Sequence, residues 1–253
     1  MAAATFRSAD EPEAYVLFLH PWTSWKDERD YAHVKLARDL AQALSVEAVL
    51  FDHRGHGEST GSSANVTMSD FVADVQHVQQ WLQQRSGSKA TIVVASGVAA
   101  VTAASVASLI NAQALVLLSP SLHVPPRLLD LAARTQSVRE LLKFAEREND
   151  LAYVRSALQR LGVLPDHTLG ELFNPAFLFG VPDPLSYLGL PPTLVVTDGE
   201  SPSYDVHLLA SCALRIADIR GGGLSFRHPD CLSAVSTAML QFFQSLRFAG
   251  DLI

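Results

Sequence analysis

The sequence predicts an α/β fold, a mostly parallel sheet with helices on both faces. Short apolar runs alternate along the chain with segments of helical periodicity. Parallel strands need crossovers of a dozen or more residues, usually helical, and the spacing between the runs supplies them. Apolar residues make up 48% of the 253 and charged residues 18%, enough to bury a sheet on both sides.

The stretch AYVLFLH (Ala14 to His20) reads as a buried strand, and Arg29 to Leu44 places apolar residues at helical spacing. VEAVLFDH (Val46 to His53) is the next strand, and Met68 to Arg85 follows as a helix with Ser69 as its N-cap. ATIVVASGVAAVTAASVA (Ala90 to Ala107) begins β-branched, turns on Ser96-Gly97 and continues rich in alanine: strand, sharp turn, helix. Further strands are expected at Ala112 to Ser119, Pro192 to Asp198 and Leu214 to Ile219, before a closing helix from His228 to Leu246.

Between Ser121 and about Leu190 the alternation stops. A charged helical segment, Pro125 to Gly162, leads into a connection rich in Pro and Phe, Phe173 to Pro192. We read residues 121–190 as a helical lid inserted into a core made of residues 1–120 and 191–253. Ligands then belong at the carboxyl ends of the strands.

Composition narrows the partners. A formal net charge of −7 without a basic patch disfavours nucleic acid and anionic membrane surfaces. Cys212 and Cys231 lack C-x-x-C spacing, so two buried thiols are expected rather than a disulfide or zinc site. The nine histidines show no metal-binding helical spacing, and neither a metal nor a cofactor is expected. The N-terminal segment lacks a secretory apolar region and no run reaches membrane-span length, so a cytoplasmic location is expected.

Three ordered motifs carry a resemblance. FLHPWTSWKDERDY follows the first strand, FDHRGHGEST the second, and the Gly97 turn the third. Together they resemble the α/β-hydrolase superfamily, over nearly the whole chain. The resemblance implies oxyanion-hole N–H donors at Trp22 and Val98, with Pro21 replacing the usual glycine. Asp52 to Ser59 is similar to the family turn D-x-R-G-x-G-x-S, largely structural there. Ala95-Ser96-Gly97-Val98-Ala99 lies on G-x-S-x-G, putting Gly97 at the nucleophile position. VVTDGESP puts Ser201 where the family acid stands, and GGGLSF puts Leu224 where the family histidine stands. All three triad positions have lost their chemistry, and each loss relaxes the need for the other two.

The side chains that remain frame three functions. A degenerate hydrolase would hold a small molecule or protein partner in a pocket that includes His20, Trp22, Ser96 and Gly97, with no intact catalytic residue. A cyclase, lyase or isomerase would use His20 as acid or base beneath the Trp22 and Val98 donors. An esterase, thioesterase or peptidase would need a displaced triad around Ser96 and His228, with Asp198, Glu200 or Asp205 as acid. For each the plainer reading stands alongside: His20 and His53 as packed histidines, His228 as an exposed or capping residue, Asp198 and Glu200 as solvated. Trp22 and Trp25 line the pocket or pack on the lid. A nucleophilic Ser96 would put Val94 and Val98 where the elbow needs small residues.

Overall fold

Strands covered on both faces need apolar side chains at nearly every position, and this chain supplies them. Its structure, a computed structural model, describes residues 1–7, 11–21, 24–27, 31–121, 189–198, 213–220, 226 and 228–248. The strands are β1 (Ala3–Arg7), β2 (Ala14–Leu19), β3 (Val46–Phe51), β4 (Ala90–Ser96), β5 (Ala114–Leu118), β6 (Thr193–Thr197) and β7 (Leu214–Asp218). The helices are α1 (Ala32–Ala43), α2 (Met68–Ser86), α3 (Ala99–Val106) and α4 (Pro229–Phe248). Every residue of β2, β3, β5 and β6 is buried.

The sheet order is β1-β3-β2-β4-β5-β6-β7, parallel throughout except for the β1–β3 pair. β1 is an addition to the sequence expectation. Its five residues alternate between exposed and half-buried, a weak apolar signal, and backbone pairing from Ala3 opposite Phe51 to Arg7 opposite Glu47 holds it. The chain runs from β2 outward to β3 and then crosses back to β4 on the other side of β2. In open α/β sheets a reversal of this kind is where the ligand crevice lies, here at the carboxyl ends of β2 and β4.

Strand alternation sorts the core into two layers. Val93 and Ala95 of β4 pack with Phe71, Val75, Val78 and Leu82 of α2 and the alanines of α3. Ile92 and Val94 face the other way, against Leu36 and Leu40 of α1 and Val235, Met239 and Phe242 of α4.

The start of α2 differs from expectation. Its N-cap is Thr67, whose hydroxyl accepts the Asp70 N–H at 3.3 Å while the Asp70 carboxylate accepts the Thr67 N–H at 2.9 Å. This reciprocal pair ties the Thr67 and Asp70 N–H groups of the first turn, which Ser69, already inside that turn, does not do. The lid assigned to residues 121–190 lies outside the described residues apart from Ser121, Gly189 and Leu190. Among the described residues no helix is long and apolar enough to cross a membrane.

Candidate functional site

The crevice is walled by the turns that leave β2, β3 and β4. At the end of β4 the backbone turns sharply, with Gly97 at φ 55, in the left-handed region that disfavours side chains. The Gly97 N–H donates to the Leu118 carbonyl at 2.9 Å, and the Gly97 carbonyl accepts the Ser121 N–H at 3.0 Å. The strand-turn-helix predicted from Ala90 to Ala107 is therefore present, with its strained residue at the expected place. Among the described residues a Cβ on Gly97 would meet only the Pro21 Cβ, at 3.7 Å. Val98 caps α3, and among the described residues its N–H reaches no backbone acceptor.

The turn after β3 is built around Asp52, which is fully buried. Its carboxylate accepts the Lys26 N–H at 2.6 Å, the Glu58 N–H at 3.0 Å and the Lys26 ammonium at 3.0 Å. Burial opposes the charge on Lys26, but the Glu58 and Asp52 carboxylates outweigh it and hold its pKa above the usual lysine value. Gly57, at φ 50, brings the backbone close under Asp52, where a Cβ would lie 2.5 Å from the carboxylate. The structural role implied for Asp52 to Ser59 matches this geometry. Arg54 reaches back to α2, pairing with Asp74 at 2.6 Å and Asp70 at 3.0 Å.

His20 is fully buried where β2 ends. The His53 N–H donates to its Nε2 at 3.1 Å, so the neutral ring keeps its proton on Nδ1, which donates to the Pro21 carbonyl at 2.9 Å. Burial, aided by His53, pushes its pKa well below the ordinary histidine value. The packed reading of His20 fits this geometry, in which both ring nitrogens are bonded to backbone. An acid-base role for His20 would require breaking one of these bonds. His53 stacks on Phe71 at 3.8 Å between ring centroids, and burial lowers its pKa as well. Its Nδ1 stands 3.6 Å from Asp74 Oδ2, outside hydrogen-bond range.

Ser96 has a partner that sequence reasoning missed. The Nε2 of His33, in the first turn of α1, lies 2.6 Å from the Ser96 Oγ. His228, weighed as the base for a displaced triad, sits exposed just before α4, where its Nδ1 accepts the Asp230 N–H at 3.3 Å. The signal that finds His33 is its place on the stripe His33, Leu36, Ala37, Leu40, which turns one face of α1 inward.

Asp198 is 5% exposed, so the solvated reading of it does not hold. Trp25 is 48% exposed, and the free thiol of Cys231 is half-buried. Trp22, Glu200, Ser201, Asp205, Cys212 and Leu224 lie outside the described residues. Among the described residues no group of three or more His, Cys, Asp or Glu is arranged to hold a metal ion. A cavity of about 580 Å³ opens beside Arg54, Asn65, Asp70, Asp74 and His77, and shares no residue with the Ser96–Val98 turn.

Known proteins place this architecture. No curated protein sequence matches the chain significantly. Among solved structures, Est1E from Butyrivibrio proteoclasticus, described with ferulic acid bound, superposes with a TM-score of 0.69 at 16% identity, covering 96% of this chain and 94% of its own. The Paleococcus ferrophilus monoacylglycerol lipase gives 0.65 at 16% identity, over 96% of this chain and 98% of its own. The enol-lactonase from Burkholderia xenovorans gives 0.62 at 14% identity, over 96% of both chains. At these identities the likeness is one of fold, and it is the α/β-hydrolase fold. Residues 10–160, more than half of the chain, match the hydrolase family described as Serine aminopeptidase, S33, and the chain belongs to that family.

Proposed function

We propose that this chain is a catalytically degenerate member of its family, which holds a small-molecule ligand or a protein partner in the inherited pocket, beneath a lid formed by residues 121–190. The observation that carries the reading is Gly97. The family's nucleophile stands at a strained strand-to-helix turn, and here the turn residue with φ 55 has no hydroxyl. Among the described residues a Cβ added there would touch only Pro21, which supports a pocket over a plug. Ser201 and Leu224 at the acid and histidine positions support the same reading from the sequence. With all three groups replaced, no side chain is left at these positions to generate the alkoxide or protonate the leaving group.

The test is steady-state turnover of p-nitrophenyl esters and aminoacyl p-nitroanilides, alongside thermal shifts with small apolar carboxylic acids, esters and amides. The reading expects no turnover beyond the amount of protein present, and a raised melting temperature with at least one ligand class. Sustained multiple turnover overturns it. The combined variant Gly97→Ser, Ser201→Asp, Leu224→His is expected to recover little or no hydrolysis, because catalysis also requires the reacting groups to be held in near-attack geometry.

A further inference from the structure

Ser96 and His33 meet where two apolar patterns cross. Ile92 and Val94 of β4 face α1, and Ser96 continues that alternation to the end of the strand. His33 opens the inward stripe of α1, and its ring lies against Phe18 at 5.3 Å between centroids. Burial pushes its pKa down to about 3, with the Lys26 backbone carbonyl near the ring opposing this in part. The imidazole is therefore neutral at pH 7. With its proton on Nδ1, the Nε2 lone pair receives the Ser96 hydroxyl at 2.6 Å. Among the described residues Nδ1 has no partner in ordinary hydrogen-bond geometry and no carboxylate orients the ring. Ser96, Gly97 and Val98 are each partly exposed, so the turn is not sealed within the core.

We infer that Ser96 and His33 form a nucleophile–base pair, one residue ahead of the emptied elbow, that takes an acyl group from an activated ester. Ser96 Oγ bonds to the ester carbonyl carbon as its proton passes to His33 Nε2. The tetrahedral intermediate then expels the phenol or alcohol, which carries that proton away, and the acyl group stays on Ser96 as an ester. The Val98 N–H, without a backbone acceptor among the described residues, is the candidate donor for charge on the carbonyl oxygen. A base of such low basicity assists weakly, and attack by water on an acyl-serine needs that help more than loss of a good phenolate does. The acyl-protein therefore accumulates. This goes beyond the proposed function, because a protein acylated once is not a hydrolase.

The experiment mixes the protein with p-nitrophenyl acetate, follows nitrophenolate release, and locates the acetyl group by intact mass and peptide mapping. A burst matching the protein concentration is expected, with the acetyl group on Ser96. Ser96→Ala abolishes the burst, His33→Gln slows it by at least about tenfold, and Ser96→Cys, which leaves α1 untouched, retains it. Circular dichroism and a thermal melt establish that each variant is folded. No burst from the wild type, an adduct elsewhere, or an unchanged rate in folded His33→Gln overturns the pair. Repeated turnover that depends on Ser96 keeps the nucleophile–base pair but overturns both its accumulating acyl-serine and the degenerate reading; absence of any burst overturns the pair and leaves the degenerate reading standing.

Discussion

Gly57 and Gly97 both adopt positive φ, yet their environments set different consequences for a side chain. At Gly97 the added Cβ finds, among the described residues, only Pro21 at 3.7 Å, so Gly97→Ala is expected to cost the left-handed backbone penalty, about 1 kcal/mol. At Gly57 the same atom lands 2.5 Å from the buried Asp52 carboxylate, which is held by Lys26 and Glu58. Gly57→Ala is expected to cost about 3 kcal/mol or more, because the turn must open to relieve the overlap. Urea denaturation of the two variants side by side checks the order, and a Gly97→Ala loss equal to that of Gly57→Ala would contradict it. The strained turn at position 97 was legible from the motif alone. The hold on His20 was not, because the His53 N–H reaches its Nε2 across the crevice, 33 positions along the chain.

At the scale of elements, the helices and most strands follow from hydrophobic period, while their ends follow from local hydrogen bonding. Thr67 and Asp70 close the first turn of α2, so Thr67→Ala is expected to lower stability by about 1 kcal/mol. Ser69→Ala should stay within about 0.5 kcal/mol of the wild type, and the midpoint of thermal unfolding distinguishes the two. β1 was illegible for a different reason. AATFR buries little apolar surface, and only the open edge of β3 makes it a strand. The Ser96–His33 contact lies between these cases. The stripe on α1 and the alternation in β4 were each readable, but which helix face covers which strand depends on the crossover.

The whole molecule carries a built-in sensitivity to acid. His20, His33 and His53 are fully buried, and burial depresses each below the ordinary histidine pKa. A base whose folded pKa is lowered binds protons more readily when the chain unfolds, so stability rises with pH between the folded and unfolded values. For His33 that window runs from about 3 up to the free value of 6.5. Within it each pH unit removed costs about 1.4 kcal/mol. Urea midpoints are therefore expected to fall as pH drops from 7.5 to 5, and His33→Gln should flatten part of that slope. A midpoint that stays constant or rises on acidification would refute this account.

The sequence by itself determined the alternation of strands and helices and the placement of a strained turn at Gly97, a residue without a hydroxyl. These properties are local, set by hydrophobic period, by backbone freedom and by which side chain a position carries. Only the tertiary structure decided that β1 completes the sheet, that both nitrogens of His20 are bound to backbone, and that Ser96 answers to His33 rather than His228. Each of those depends on groups far apart in the chain meeting at hydrogen-bond distance. That proximity follows from the order in which the strands pair.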